Sequence, residues 1–288
     1  MAFERSRKLA GINDIYIVTN EDYKFHVLGQ IEELGYLYNE RNILIEPIGR
    51  NTLPAIYYGV QEIRQSGEDV VAIFPSDHLM RDEQRFVDIV RRGEALTDRY
   101  LVTFGIYPSK PHTGYGYIKP KRPLSVGYKV AEFKEKPNLQ MAKVYLDEGY
   151  LWNSGIFMFR TNLFVDEVRK YCSKVYQAFQ SDNIEECFDE TPDISIDYGL
   201  MERSDRVAVI PLDIKWSDLG SFDAFYDEYP ADELGNVKFQ RDVFIDSYNN
   251  LVYSNNDKAV GLIGVKDLII VDEKYALLVC RKDCSQKV

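Results

Sequence analysis

The sequence predicts an α/β protein whose main sheet is followed by a short all-β region. Between residues 14 and 106, short runs rich in Val, Ile and Leu alternate with segments of helical periodicity, which is the order typical of a parallel, doubly wound sheet. Beyond residue 235, short apolar runs are separated by turns rich in Asn, Asp and Gly. We therefore predict a core of residues 1–232 and a small all-β domain of residues 233–288.

The individual elements follow from the apolar runs and from the residues that start and stop helices. Asn51 or Thr52 is expected to cap a helix that carries Pro54 in its first turn and ends at Gly67. The predicted core strands are residues 14–19, 43–45, 70–74, 101–106, 113–118, 128–133, 150–159 and 207–212. The predicted helices are residues 21–34, 51–67, 85–96, 138–147, 161–171, 195–202 and 221–229. The predicted strands of the all-β domain are residues 243–246, 250–253, 259–265, 268–271 and 276–280.

Charge and composition exclude several kinds of partner. With 35 basic and 46 acidic side chains the chain has a formal net charge of −11, so it has no electrostatic footprint for nucleic acid or an anionic membrane. No apolar run approaches the roughly 18–20 residues that span a bilayer. The four cysteines are sparse and lack the spacing of a disulfide framework, which predicts a reducing, cytoplasmic compartment.

Two aspartates lie where predicted strands end. Asp77 follows a buried strand that Pro75 terminates, because proline donates no hydrogen bond to a sheet. Ligands of open α/β sheets bind at that edge, so Asp77 is expected to be a metal or phosphate-site ligand. Asp218 lies at a strand-to-helix junction, where the alternative role is the N-cap of the next helix.

Two further loops carry candidate binding residues. Residues 46–52 run from a strand into a helix N-terminus with Arg50 beside it, which suits an anion or a nucleobase, or equally a well-capped loop. Residues 113–118 alternate glycine with tyrosine. Glycine lets a ligand approach the backbone and tyrosine suits sugar faces, although a bulged edge strand has the same pattern.

Two predicted strands contain unexpected polar residues. Glu135 and Lys136 end one strand, with Glu135 on the same face as Phe133, and the alternative is a solvated turn. Asn153 and Ser154 interrupt a strongly apolar strand, so the amide is either hydrogen-bonded locally or directed at a ligand. The sequence has no dinucleotide-binding or P-loop glycine pattern.

Seven motifs in this order resemble those of the mannose-1-phosphate guanylyltransferases, which make GDP-mannose from GTP and mannose 1-phosphate. The motifs are E-P-x-G-R-N-T-x-P-A, F-P-S-D-H, T-G-Y-G-Y-I, F-K-E-K-P, W-N-S-G-I-F-M-F, S-I-D-Y-x-x-M-E and W-S-D-L-G-S. The resemblance covers nearly the whole chain. It implies a cytoplasmic, GTP-binding nucleotidyltransferase of GDP-mannose biosynthesis, with a Rossmann-like GT-A core, a mixed sheet and a short left-handed β-helix-like segment.

The resemblance also implies roles for individual residues. The implied Mg²⁺ ligands are Asp77 and Asp218, and these form the catalytic set together with Lys136 near the sugar phosphate. The residues implied for mannose are Gly116, Glu135 and Asn153, and those implied for the nucleotide are Glu46, Asn51 and Thr52. A phosphate oxygen of mannose 1-phosphate would attack the α-phosphorus of GTP, and pyrophosphate would leave.

This chain departs from the family pattern at its start. The family's first strand and its glycine-rich loop, G-G-x-G-T-R-L-x-P-L-S, have no counterpart in the sequence, and the C-terminal β-region looks clipped. We therefore expect the family fold and sugar site, but doubtful activity for this chain alone. The alternatives are a non-catalytic sugar-nucleotide-binding or regulatory subunit and an inactive fragment, and a homodimer is left open.

Overall fold

A computed structural model describes residues 2–67, 69–220, 225–226, 228–255 and 258–287. The chain divides into two compact units, the first made of residues 1–76 and 80–216 and the second of residues 77–79 and 217–288. The second unit begins earlier than the all-β domain predicted from residue 233, because it includes the segment after Trp216 and a short loop at residues 77–79. Among the described residues, no helix combines the length and apolar character of a membrane-crossing segment.

The elements up to residue 217 largely match the alternation in the sequence. The helices are α1 (Ala2–Arg7), α2 (Glu21–Glu33), α3 (Thr52–Ser66), α4 (Glu83–Gly93), α5 (Leu139–Asp147), α6 (Thr161–Tyr171), α7 (Ser173–Ala178) and α8 (Ile184–Glu190). The strands are β1 (Ile17–Asn20), β2 (Ile43–Glu46), β3 (Val70–Ile73), β4 (Leu79–Met80), β5 (Leu101–Ile106), β6 (Tyr117–Pro123), β7 (Tyr128–Lys134), β8 (Leu151–Arg160), β9 (Val207–Leu212) and β10 (Trp216–Ser217). The predicted helix at residues 195–202 is a π-helical turn, Asp197–Met201.

Helix α3 begins and ends at the residues that the sequence indicates. The Asn51 side chain accepts a hydrogen bond from the Thr52 N–H at 2.9 Å and caps the helix. Gly67 follows the last turn with φ of 89°, a left-handed conformation that glycine adopts without steric cost. Local capping therefore determines both boundaries of this helix.

The main sheet is mixed, as the family resemblance implies, and is not the all-parallel sheet that the alternation alone predicts. Its six strands lie in the order β3-β8-β5-β9-β7-β6, and a separate parallel pair consists of β1 and β2. Strand β8 lies antiparallel between β3 and β5, while β5 and β9 are parallel. The prediction failed here because β8 reaches the sheet centre from a long excursion through β6, β7 and α5, and no local pattern encodes that insertion.

Strand β8 is buried on both faces, which explains its nearly continuous apolar sequence. Phe157 and Phe159 pack in a hydrophobic cluster on one side of the sheet. Ile156 and Met158 pack in a second cluster on the other side. Side chains alternate across a strand, so this single strand contributes to both halves of the core.

The described part of the second unit is a stack of short parallel strands. They are β11 (Val237–Lys238), β12 (Val243–Ile245), β13 (Leu251–Ser254), β14 (Gly261–Ile263), β15 (Leu268–Glu273) and β16 (Ala276–Arg281), and only β16 runs antiparallel. The register joins residues 18 apart, as in the pairs Val243–Gly261 and Leu251–Ile269, so successive coils stack as in a β-helix. The predicted helix at residues 221–229 lies mostly outside the described residues.

Candidate active site

Three neighbouring strands of the first unit bring the predicted sugar-site residues together. Gly116 immediately precedes β6, Glu135 immediately follows β7, and Asn153 lies within β8. Strand β6 pairs with both β7 and β8, so the three residues lie at neighbouring positions of one sheet. The Asn153 N–H donates to the Gly116 carbonyl oxygen at 2.8 Å, which ties two of them directly.

Glu135 occupies the space that a side chain at Gly116 would need. A Cβ atom added at Gly116 would lie 2.4 Å from Glu135 Oε2 and 3.2 Å from Asn153 Cβ. The first distance is far below van der Waals contact, so a larger residue here would displace the Glu135 carboxyl. The predicted grouping of Gly116, Glu135 and Asn153 in space is therefore present.

The Glu135 carboxyl is buried and incompletely paired. Its side chain is 11% exposed, and Oε2 has no hydrogen-bond partner among the described residues. Burial raises the pKa of Glu135 to about 7, and repulsion from Asp197 and Glu202 adds to the effect, whereas Lys136, with Nζ 3.7 Å from Oε1, opposes it. A buried carboxylate oxygen without a donor is suited to accept a hydrogen bond from a bound molecule.

The Asn153 side chain is held in one orientation by its neighbours. Its Oδ1 accepts hydrogen bonds from the Gly155 N–H at 3.1 Å and from Thr103 Oγ1 at 3.3 Å. Its Nδ2 donates to Asp197 Oδ1 at 2.9 Å. The amide is therefore bonded locally, as one of the two alternatives predicts, and contact of its second N–H with a ligand stays a prediction.

Sequence reasoning missed Asp197 and Glu202, although both belong to the S-I-D-Y-x-x-M-E motif. Asp197 is partly buried, and burial raises the pKa of its carboxyl. Glu202 Oε1 accepts a hydrogen bond from the Glu135 N–H at 2.9 Å. The two acids are five residues apart, which an α-helix places on diverging faces, so helical periodicity gave no signal that they act together.

Lys136 lies beside this group with an unusual backbone conformation. Its side chain is 62% exposed and its φ is 45°, in the left-handed region that favours glycine. Strain of this kind is often retained where function requires it. Lys136 is an exposed positive charge beside the Glu135 carboxyl.

The residues predicted for the nucleotide lie at the start of α3 and the end of β2. Glu46 ends β2 with Oε1 buried and unpartnered among the described residues, and burial raises the pKa of its carboxyl. Asn51 caps α3, and Thr52 Oγ1 accepts a hydrogen bond from the Ile196 N–H at 2.9 Å. Arg50 Nε donates to the Phe188 carbonyl oxygen at 2.9 Å. The loop is thus anchored as the capped-loop alternative predicts, while Glu46 keeps an unused acceptor.

The tyrosines of residues 113–118 have structural roles, which corrects the prediction that they suit a sugar face. The strand begins only at Tyr117, whose ring is fully buried and whose hydroxyl donates to the His112 carbonyl oxygen at 2.9 Å. Tyr115 packs edge-to-face against Trp152, with ring centroids 4.9 Å apart. The alternation of glycine and tyrosine did not distinguish core tyrosines from ligand-binding ones.

Asp77 and Asp218 lie next to two short strands that pair with each other. Strands β4 and β10 form a two-stranded sheet, and just beyond it the Arg81 N–H donates to the Lys215 carbonyl oxygen at 3.1 Å. Since the end of β4 lies beside the start of β10, the strands are antiparallel. The start of β4, near Asp77, then lies beside the end of β10, near Asp218.

The chemistry of these two aspartates fits a hard divalent cation. The Asp77 side chain is 72% exposed, with Oδ1 3.8 Å from His78 Nε2, and Asp218 Oδ1 accepts from the Gly220 N–H at 3.1 Å. Among the described residues, no group of three or more His, Cys, Asp and Glu side chains is arranged to hold a metal alone. Mg²⁺ is commonly bound by one or two carboxylates together with water and substrate phosphates, so two aspartates are a sufficient protein contribution.

Comparison with known proteins identifies the class. Residues 2–234 match the family described as Nucleotidyl transferase, and residues 240–288 match the MannoseP isomerase/GMP-like beta-helix domain. The chain therefore belongs to the nucleotidyl transferase family, with a β-helix domain after the transferase domain.

Its relatives within that class are more specific. The mannose-1-phosphate guanylyltransferases of Klebsiella pneumoniae and Escherichia coli are 38% and 37% identical to it, over 309 and 311 aligned residues that include 100% of this chain. The chain spans 65% of the length of each of these two relatives. A crystal structure of a mannose-1-phosphate geranyltransferase from Thermus thermophilus superposes with a TM-score of 0.88 at 27% identity, covering 99% of this chain and 85% of that one.

Proposed function

We propose that this chain carries the hexose site and part of the nucleotide site of an enzyme that converts GTP and mannose 1-phosphate into GDP-mannose and pyrophosphate. Family membership and the relatives' activity support this proposal. The observation that carries it is the Glu135 carboxyl, which is buried beside Gly116 and has one oxygen that no described residue donates to. A sugar hydroxyl is the donor that this oxygen suits.

The hexose would be recognised by groups of opposite hydrogen-bonding character. Glu135 Oε2 accepts from a sugar hydroxyl, and the second N–H of Asn153 Nδ2 donates to another. Hexoses that are epimers present their hydroxyls in different directions. A site whose buried groups must all be paired discriminates strongly against the epimer that leaves one unpaired.

The nucleobase would be recognised at Glu46. Guanine presents N–H donors on its N1 and on its exocyclic 2-amino group, and a carboxylate can accept both. Glu46 Oε1 is a buried acceptor without a partner among the described residues, at the end of a strand that leads to the N-terminus of α3. Adenine offers no such pair of donors, so this contact would favour GTP over ATP.

The reaction makes its main demand on charge, because two anions must approach each other. A phosphate oxygen of mannose 1-phosphate forms a bond to the α-phosphorus of GTP while the bond to the pyrophosphate oxygen breaks, so no side-chain nucleophile is needed. Lys136 places a positive charge beside the Glu135 carboxyl, where it would neutralise the sugar phosphate. Asp77 and Asp218 would hold Mg²⁺, which when bound neutralises phosphate oxygens.

Phosphorus NMR of one reaction mixture tests the proposal. The chain is incubated with GTP, mannose 1-phosphate and MgCl₂, and the resonances of GDP-mannose and pyrophosphate are followed. We expect both products to form in equal amounts and at a low rate, in line with the doubtful activity predicted from the sequence, and we expect EDTA to stop their formation. The proposal would be refuted if the folded chain formed neither product and also failed to bind mannose 1-phosphate.

A further inference from the structure

The acids Asp197 and Glu202 belong to one π-type turn. The Glu202 N–H donates to the Asp197 carbonyl oxygen at 2.9 Å, which is a bond between residues five apart and therefore a π-type turn. In an α-helix of 3.6 residues per turn, side chains five apart diverge by roughly 140°. The π-type bond instead stacks residue 202 over residue 197 and so directs both carboxyl groups to the same side.

Each acid contacts a different residue of the hexose site. Asp197 Oδ1 accepts from Asn153 Nδ2 at 2.9 Å, and Glu202 Oε1 accepts from the Glu135 N–H at 2.9 Å. The turn therefore fixes an amide side chain on β8 and the backbone after β7 at the same time. Glu135 and Asn153 come from separate strands, and this turn is a second connection between them besides the sheet itself.

The turn is itself held rigidly against α3. The Ile196 N–H donates to Thr52 Oγ1 at 2.9 Å, and the Leu53 N–H donates to the Ile194 carbonyl oxygen at 3.1 Å. Gly199, inside the turn, is buried so tightly that an added Cβ would lie 2.7 Å from Leu53 Cδ2. The position of the two acids is thus fixed relative to the helix that begins beside the proposed nucleotide residues.

We propose that Asp197 and Glu202 are positioning residues that set the affinity and epimer selectivity for the hexose 1-phosphate through Asn153 and Glu135. This inference rests on the proposed function. Neither acid needs to touch the reacting phosphates. Each holds a binding group in the orientation that a sugar hydroxyl requires, and displacements of about 1 Å in such groups can cost up to about 100-fold in rate.

Paired substitutions separate a positioning role from a general loss of structure. Asp197→Ala removes the acceptor for Asn153, whereas Asp197→Asn keeps an oxygen at the same place. Glu202→Ala and Glu202→Gln form the same kind of pair for the Glu135 N–H. The control is Asp193→Asn, which changes an exposed acid in the same segment.

We expect each Ala variant to raise the KM for mannose 1-phosphate at least tenfold, with the KM for GTP changed less than twofold. The Asn and Gln variants should recover most of that loss, and D193N should match the wild type. Selectivity for mannose 1-phosphate over glucose 1-phosphate should fall in the Ala variants. Equal KM values for mannose 1-phosphate in the Ala variants and the wild type would overturn the inference.

A measurement without substrate makes the two proposals separable. In a nitrogen-15 NMR spectrum, the Asn153 side-chain N–H protons should exchange with water faster in D197A than in the wild type, and D197N should restore slow exchange. Unchanged exchange in folded D197A overturns the positioning role even if the enzyme is active. If the wild type neither makes GDP-mannose nor binds mannose 1-phosphate but this exchange effect is present, the proposed function fails while the positioning of Asn153 stands. If D197A does not fold, the Glu202 pair is decisive.

Discussion

The substitution Glu135→Gln tests how the free energy of unfolding depends on pH, because the pKa of the Glu135 carboxyl differs between the folded and the unfolded chain. Burial raises the pKa of Glu135 from 4.5 to about 7. Between these two values the folded protein binds a proton that the unfolded chain has released, so the free energy of unfolding falls as pH rises. The difference of about 2.5 between the two pKa values corresponds to about 3.5 kcal/mol, because each unit is worth about 1.4 kcal/mol.

The assay is urea unfolding of the wild type and of E135Q at pH 5, 6, 7 and 8. The variant lacks this proton, so its unfolding free energy minus that of the wild type should grow by about 2.5 kcal/mol from pH 5 to pH 8. This is less than the full effect because the unfolded carboxyl is already mostly ionised at pH 5. Comparing the variant with the wild type cancels the contributions of groups that do not interact with Glu135 and therefore titrate alike in both proteins.

Glu132→Gln is the matched control on the same strand. A hydrogen bond from the Tyr150 hydroxyl lowers the pKa of Glu132, so this carboxyl is ionised in both the folded and the unfolded state above pH 5. The difference between E132Q and the wild type should therefore stay constant across the series. A constant difference for E135Q as well would refute the claim that the Glu135 carboxyl is buried without compensation.

Three other substitutions test the site at separate points. Gly116→Ala should cost about 1–3 kcal/mol of stability or raise the KM for mannose 1-phosphate, because its Cβ would lie 2.4 Å from Glu135 Oε2. The control is Gly59→Ala, whose Cβ would meet Val18 at 3.5 Å, and this variant should be about 1 kcal/mol more stable with an unchanged KM. Lys136→Gly should relieve roughly 1 kcal/mol of the left-handed backbone strain that Lys136→Ala retains. Both variants should lower kcat/KM at least tenfold. Equal melting curves for the two variants would contradict the strain. Glu46→Gln should reduce kcat/KM for GTP about tenfold and for ITP, which lacks the 2-amino group, much less; an unchanged GTP-to-ITP ratio would exclude Glu46 as the base contact.

Much of the fold could be predicted because short-range patterns encode it. The cap at Asn51, the end of α3 at Gly67 and the apolar run of β8 all follow from single residues or periodicity. Short-range patterns do not determine which strands lie next to each other in the sheet. Strand β8 enters the sheet between β3 and β5, an arrangement that depends on contacts between residues far apart in sequence.

The sequence indicated candidate binding residues of the site, but not the residues that hold them in place by hydrogen bonds. Polar Asn153 in an apolar strand and Glu135 just after β7 were both candidate positions, each with a local structural alternative. The role of Asp197 and Glu202 could not be derived, because it depends on a π-type turn that helical periodicity does not indicate. The tyrosines at 115 and 117 show the opposite error, since residue type suggested a ligand and packing gave them a core role.

Carbon-13 NMR titration of the Glu135 side-chain carboxyl, with and without saturating mannose 1-phosphate, tests the central claim most directly. In the free protein the pKa should be about 7, and hydroxyl donors from the bound sugar should lower it by at least about one unit, because they stabilise the ionised form. The E135Q variant assigns the resonance. A carboxyl that titrates near its ordinary value of 4.5 in the free protein, or whose pKa does not change when mannose 1-phosphate is bound, would contradict the account.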